Sequence, residues 1–318
     1  MSTTLVLGNG FDLGMNLKTS YINFFKSGFF PTQEHHSKSK MCRFLHEQAT
    51  LQGKTWGGIE ASLEEYAKYD AEEHTYDADI IFYQSLSSNF RLYLHYALYG
   101  PPVNGMCSND ITLPDDESCS EAFILECLFY DRAISHIVTF NYTPFESIVE
   151  TICKRNESTI SSDKMVDIIN NFDVNYLHRG NENELVLGIS NDAVLKDRRY
   201  YFLKKSHISL PKCFFPTLND SSTIIFWGLS FSKCDQPYFR EFFKHISSMN
   251  DQMSRDIFFV NYDSKSHERA MANIEEIMCG DITNLCAKNN VICVNTDRYV
   301  SSNNFAKLLL HLRESSSR

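Results

Sequence analysis

Apolar and polar positions along the chain form short β-branched or aromatic runs that alternate with stretches of helical period. Leu5-Val6-Leu7, near the head of TTLVLGNGFDLGMNLKTSYINFF, is too short for a helix and reads as a buried strand. Gly8-Asn9-Gly10 follows as a sharp turn. Thr19 or Ser20 is placed to cap a helix whose apolar positions are Tyr21, Ile22, Phe24 and Phe25. Residues 28–55 are polar and mixed, with a solvated loop expected over 32–40. Helical period returns over 56–69, where Ile59, Leu63, Tyr66 and Ala67 recur, and over 77–100, which Gly100-Pro101-Pro102 ends. Beyond a polar loop at 103–118, the pattern predicts a helix at 123–134, a strand at 136–140 and a helix at 145–155. Short strands are expected at 175–177 and 185–189, then an irregular to helical stretch over 193–221. The remainder reads as strand 223–227, helix 236–247, strand 256–261, helix 264–279, strand 291–294 and helix 305–312.

Strands alternating with helices predict an α/β fold, a Rossmann-like and mainly parallel sheet with helices on both faces. The chain reads as a single domain over 1–318. The block at about 30–130 lacks strand signals and is expected to be a helical insertion after the first strand and helix, serving as a lid or as the surface of a homo-oligomer.

Composition narrows the function classes. Of 318 residues, 43% are apolar and 22% charged, so a sizeable core is expected. A net charge of −10 and a pI near 5.6 argue against a broad nucleic-acid or anionic-membrane surface, but leave room for a small phosphate ligand on backbone N–H groups. The ten cysteines include no C-x-x-C pair and no zinc-finger spacing, which points to reduced thiols, no metal site and a cytoplasmic protein. No apolar run approaches the roughly 20 residues of a membrane helix, so no membrane role is expected.

In an open parallel sheet, ligands bind beyond the carboxyl ends of the strands. The predicted strand ends carry Gly8, Asn9 and Gly10 with Phe11 and Asp12; Asn141 with Tyr142; His178; Gly228 and Ser230 with Asp235; and Asn261 with Asp263. A glycine turn between strand and helix suits phosphate, because unpaired N–H groups and the helix dipole point at the ligand. Gly8-Asn9-Gly10-Phe11-Asp12 matches neither G-x-G-x-x-G nor the P-loop, so a nucleotide loop and a plain structural turn both stand. Asn141 also reads as a cap for the following helix, Asp263 as the N-cap before Ser264, and Asp12 as a partner for its own loop's N–H groups. Ser230 lacks a G-x-S-x-G elbow and is not expected to be a nucleophile.

GNGFDLGMNLKTSYINFF, TFNYTPFESI, VNYLHRGNENELVLGISND and IIFWGLSFSKCDQPYFREFF together resemble the AbiH family, bacterial abortive-infection proteins linked to defence against phage. More distantly, the order of glycine loop, strand-end Asn, His near Gly, and Gly-x-Ser is similar to sirtuin-like NAD-consuming domains, an analogy at fold level. The resemblance implies a toxin-like effector that hydrolyses NAD at the nicotinamide–ribose bond, or a related nucleotide, as substrate and with no prosthetic group. It implies catalytic roles for Asn141, positioning a water or the ribose, and for His178, as ribose partner or base. Gly8, Asn9 and Gly10 would cradle pyrophosphate, Asp12 would orient the loop or a ribose, and Gly228 and Ser230 would take a phosphate. Asn261 and Asp263 would face the adenine ribose. On this view Gly10→Ala blocks the ligand and spares the fold. The family pattern places Gly directly after His, whereas here Arg179 separates His178 from Gly180, which adds a phosphate contact or marks altered or lost catalysis. A phage-derived trigger or a partner defence protein is implied as well. Two other classes remain: a non-catalytic nucleotide sensor that regulates a partner, and a nuclease toxin. The acidic charge and the lack of a compact Asp/Glu/Lys metal cluster count against the nuclease.

Overall fold

The computed structural model describes residues 2–53, 58–100, 118–129, 134–156, 174–177, 187–190, 192–204, 214–233, 235–248, 253–280, 282–297 and 303–316. Six strands build an all-parallel sheet: β1 (Thr3–Leu7), β2 (His136–Thr139), β3 (Val174–Tyr176), β4 (Thr223–Trp227), β5 (Asp256–Asn261) and β6 (Asn290–Asn295). Their order is β3-β2-β1-β4-β5-β6. Leu5 of β1 stands opposite Ile137 of β2 and Ile225 of β4, and Ile225 stands opposite Phe258 of β5. The chain winds outward from the centre in both directions, so the order reverses between β1 and β4. In such a sheet that reversal opens a crevice at the carboxyl ends of the two strands.

Between β1 and β2 lie α1 (Asn9–Gly14), α2 (Tyr21–Lys26), α3 (Thr32–His35), α4 (Lys40–Gln52), α5 (Ile59–Tyr66), α6 (Glu73–Tyr99) and α7 (Cys119–Phe129). α8 (Phe145–Arg155) follows β2, and a 3-10 turn (Arg198–Leu203) and α9 (Phe214–Asp220) precede β4. α10 (Gln236–Ser247) follows β4, α11 (Ser264–Ile277) and α12 (Ile282–Lys288) lie between β5 and β6, and α13 (Asn303–Ser316) comes last.

Alternate strand residues enter two different cores. Leu5, Leu7, Ile225, Trp227 and Val260 pack with Phe11 of α1, Phe123 of α7, Ile148 of α8 and Leu308 of α13. Val6, Ile224, Phe226 and Phe259 pack on the other face with Phe239, Phe242 and Phe243 of α10 and Ile274 of α11. Burial on both faces is why these strands read as unbroken apolar runs without polar alternation.

The helical insertion is as expected, and it has a third core of its own. Phe24, Met41, Leu45, Leu63, Phe82 and Phe90 cluster there with Leu187, Ile189, Tyr200 and Leu203, which come from beyond β3. Four details differ from the sequence reading. The loop expected over 32–40 contains α3, and the polar stretch after it is α4, which buries Met41, Cys42, Leu45 and Ala49 between polar neighbours. α1 and α12 are helices that the apolar pattern did not reveal. α7, inside the predicted insertion block, packs instead on the sheet through Phe123 and Ile124. The expected strand at 185–189 is reduced, among the described residues, to one parallel bridge between Ile189 and Lys204. Its first two residues, and residues 130–133 of the predicted helix at 123–134, lie outside the described residues.

Asp79 ties the insertion's helices together. Its Oδ1 accepts from the Ser39 hydroxyl at 2.7 Å and the Met41 N–H at 3.0 Å, and its Oδ2 accepts from the Tyr66 hydroxyl at 2.8 Å. Ser39 is the N-cap of α4, Tyr66 ends α5 and Asp79 sits on α6, so one buried carboxylate joins three helices. Asp79→Ala orphans all three donors and should lower stability by on the order of 3 kcal/mol. Asp79→Asn keeps an acceptor for Ser39 and Met41 and should lose less than half of that. Equilibrium denaturation in urea measures both.

Candidate functional site

At the crevice, the connections leaving β1 and β4 touch through backbone alone. The Gly8 N–H donates to the Trp227 carbonyl at 2.8 Å, the Gly10 N–H to the Gly228 carbonyl at 3.0 Å, and the Gly228 N–H to the Val260 carbonyl at 2.8 Å. A Cβ at Gly8 would lie 2.6 Å from the Gly228 oxygen, one at Gly10 2.6 Å from the Gly228 Cα, and one at Gly228 2.4 Å from the Phe11 nitrogen. Gly228 also has φ +67°, a conformation that side chains resist. The glycines are therefore demanded by each other. Gly10→Ala would disturb the fold itself, which corrects the expectation that it would only block a ligand. The same contact engages the N–H groups of Gly8 and Gly10, and the Phe11 N–H donates to the Gly8 carbonyl at 2.9 Å. Those three donors are not available to cradle a pyrophosphate. Asn9 is the exposed residue of the turn, and its Oδ1 accepts from the Thr19 hydroxyl at 2.8 Å.

Phe11 points into the core, its ring centroid 5.5 Å from that of Trp227 and 6.2 Å from that of Phe145. It anchors the turn to the sheet and does not face the crevice. Asp12, on the other side of α1, is 1% exposed. Its Oδ1 accepts from Asn141 Nδ2 and its Oδ2 from the Thr143 hydroxyl, both at 2.8 Å. Burial pushes the carboxyl up to about 7, against the downward pull of the hydrogen bonds from Thr143 and Asn141.

Asn141 does not cap α8, whose N-cap is Pro144. It bridges the end of β2 to Asp12 instead, and its own Oδ1 is buried without a hydrogen-bond partner. A charged Asp12 needs the amide N–H of Asn141. A neutral Asp12 carries a donor, which the amide meets with its oxygen after a half-turn. The proton on Asp12 and the orientation of Asn141 are thus coupled, and either state leaves one half of the amide unpartnered.

Tyr142 clamps the insertion over this strand end. Its hydroxyl donates to Glu60 Oε1 of α5 at 3.0 Å, lies 3.2 Å from the Tyr21 hydroxyl, and its ring meets Phe90 of α6 edge-on at 5.3 Å. Burial, with the Glu60 carboxylate beside it, pushes that hydroxyl well above its ordinary value.

The other candidates lie apart from this cluster or outside the described residues. His178, with Arg179 and Gly180, is among the latter. Ser230 is exposed, and its carbonyl accepts from Asn273 Nδ2 at 2.8 Å. Asp235 precedes α10 and accepts from the Ser232 hydroxyl at 2.8 Å. Asn261 is buried with its Nδ2 3.3 Å from His267 Nδ1, and His267 Nε2 lies 3.0 Å from Cys293 Sγ. Asp263 caps α11 by accepting from the Ser266 N–H at 2.7 Å, and the hydrogen bonds from Ser266 hold its carboxyl below the usual range. The structure gathers Gly8, Gly10, Asp12, Asn141, Tyr142 and Gly228, while Asn261 and Asp263 serve the packing after β5. Sequence reasoning gave Thr19 and Tyr21 only helix roles, and it missed Thr143 and the His267 and Cys293 partners of Asn261. Among the described residues, no group of three or more His, Cys, Asp or Glu could hold a metal ion, and no helix is long and apolar enough to cross a membrane.

Fold and site together define a Rossmann-like α/β protein with a buried polar cluster at the reversal point of its parallel sheet. Residues 4–256 match the family model described as Bacteriophage abortive infection AbiH, and the chain belongs to the AbiH family. No curated protein and no solved structure matches it, so the analogy to sirtuin-like domains draws no support from a relative.

Two measurements probe the cluster. Gly280 also has a positive φ, of 90°, but a Cβ there would meet nothing within 4 Å, so Gly280→Ala should cost only backbone strain, about 1–2 kcal/mol. Gly228→Ala adds the clash with Phe11 and should lose at least about 2 kcal/mol more in the same urea titration. The second test concerns Asp12. Because its folded pKa of about 7 lies above the ordinary 3.8, the folded state keeps a proton that the unfolded state releases between those values. Its contribution is fully present below about pH 4 and lost as pH rises to 7, a change on the order of 4 kcal/mol. Asp12→Asn should therefore gain stability relative to wild type as pH rises from 4.5 to 7.5, and parallel stability curves would rule out the buried-acid account.

Proposed function

We propose that this AbiH protein is an abortive-infection effector that binds NAD or a related nucleotide at the crevice between β1 and β4 and hydrolyses it. With NAD, the bond broken is that between nicotinamide and ribose. The observation carrying this reading is the Asp12–Asn141 pair: a buried carboxyl that titrates near 7, held by an amide with an unpartnered end. A carboxyl tuned to neutrality is suited to general base catalysis. Water adds to the ribose carbon and gives its proton to Asp12, while nicotinamide leaves with the electron pair of the glycosidic bond. The transition state is oxocarbenium-like, so orientation of water and ribose by Asn141 matters more than a strong nucleophile. His178 directly follows Leu177 in the sequence and keeps its motif-based role as ribose partner or base. Family membership supplies the setting of phage defence.

One observation favours a second reading, a nucleotide sensor without turnover. The N–H groups of Gly8 and Gly10 are closed on backbone carbonyls, and Asp12 is sealed from solvent. Such a centre suits reporting a ligand as well as cleaving one.

Purified protein incubated with NAD and followed for nicotinamide release separates the two. The hydrolase reading expects turnover whose kcat/KM rises with pH through about 7, the value set by Asp12. Asn141→Ala should lower kcat by on the order of 100-fold or more with a smaller effect on binding. Asp12→Asn should abolish the pH dependence together with most of the rate. Turnover that survives both variants removes catalysis from this crevice, and tight binding without turnover selects the sensor.

A further inference from the structure

β5, β6 and α11 bring a thiol, an imidazole and an amide together in one string. Asn261, the last residue of β5, has its Nδ2 3.3 Å from His267 Nδ1, and His267 Nε2 lies 3.0 Å from Cys293 Sγ. Cys293 stands opposite Phe259 in the parallel register, and Asn261 stands opposite Asn295. Cys293 therefore faces the same side of the sheet as Phe259, the side that α11 covers through Ile274. Asn261 is 6% exposed, whereas His267 and Cys293 are half-buried and keep some contact with solvent. All three residues lie beyond residue 256, where the match to the AbiH model ends, so the string stands apart from the nucleotide reading.

A nucleophile within hydrogen-bond reach of a base, with the base held by a third group, is an arrangement that activates a thiol. Burial holds the Cys293 thiol above its ordinary value, and the Cys286 thiol of α12 adds to the rise. Burial also holds the His267 imidazole below its ordinary value, against the pull of Glu268. Both shifts favour the neutral pair, an S–H beside a free ring nitrogen. A thiol in that state is a weak nucleophile until the imidazole takes its proton. The amide of Asn261 offers an oxygen as readily as a nitrogen. With that oxygen accepting from Nδ1–H, Nε2 is the base that faces the thiol. The same oxygen holds the imidazolium once the proton has moved.

We propose that Cys293 is an oxidation site for hydrogen peroxide, with His267 as its base and Asn261 as the residue that positions the ring. A sulfur electron pair attacks one peroxide oxygen as His267 Nε2 takes the thiol proton. The O–O bond breaks, and the leaving hydroxide takes that proton from Nε2 to become water. Sulfur is oxidised to a sulfenic acid, and the peroxide is reduced to water. Peroxide is small enough to reach a half-buried sulfur. It asks of the protein only the proton that the imidazole returns to its leaving group.

The test exposes the full chain to hydrogen peroxide, traps sulfenic acid with dimedone and reads each cysteine by peptide mass spectrometry. Cys279 and Cys286 are exposed and serve as references within the same molecule. Cys293, although less exposed, should be oxidised at least about tenfold faster than either. His267→Gln keeps a hydrogen-bonding side chain of similar size but cannot take the proton. It should slow Cys293 by about tenfold or more and leave Cys279 and Cys286 unchanged. Urea denaturation checks that the variant is folded. The comparison among cysteines in wild type needs no variant, so it decides even where His267→Gln does not fold. If Cys293 reacts no faster than the references, the site is overturned. A fast rate that survives His267→Gln in folded protein overturns it as well. Neither result depends on whether NAD is bound or cleaved.

Discussion

Contact between bare backbones after β1 and β4 is the constraint from which the rest of the centre follows. Adjacent parallel strands whose chains depart in opposite directions must turn within the same small volume. Here Gly8, Gly10 and Gly228 make that fit, because no Cβ could stand between them. The contact sets the start of α1, which drives Phe11 against Trp227 on one side and buries Asp12 on the other. Asp12 in turn draws in the end of β2 through Asn141 and Thr143. Tyr142, between those two, reaches Glu60 and sets the insertion above the crevice. Each step constrains the next, so a perturbation at the glycine contact should be felt at the insertion.

Much of this architecture was legible in the sequence, and the gaps have physical causes. Strands such as Thr223–Trp227 and Asp256–Asn261 stand out because both faces are buried and their apolar runs are unbroken. α4 was hidden because only Met41, Cys42, Leu45 and Ala49 of its residues are buried, among Lys, Arg, His, Glu and Gln. The turn itself could be read from Gly8-Asn9-Gly10, but not its purpose. Glycines look alike whether the close neighbour is a phosphate or the protein's own Gly228, which lies far along the chain. Polar residues at strand ends mislead for a similar reason. Asp263 caps a helix and Asn261 steadies His267, while Asn141, at an equivalent place, holds Asp12. Local sequence does not say which of these partners a strand-end residue will meet.

Asp12 is costly to bury, and the hydrogen bonds that offset part of that cost come from neutral Asn and Thr side chains. A neutral acid in that place would be met as well by an amide or hydroxyl residue at lower cost. Retaining a group that gains and loses its proton near pH 7 makes sense where the proton itself is used.

Of the six strands, β1 is the first made, and it is one of the two central strands of the finished sheet, flanked by β2 and β4. Its five residues, all buried, find their second neighbour only when Thr223–Trp227 has left the ribosome. At about 5–20 residues per second, that is a wait of roughly ten to forty seconds. The insertion waits too, since Tyr200 and Leu203 complete its core. A nascent chain therefore carries an apolar strand with at least one unpaired edge until β4 emerges, an edge that chaperones must shield over that interval.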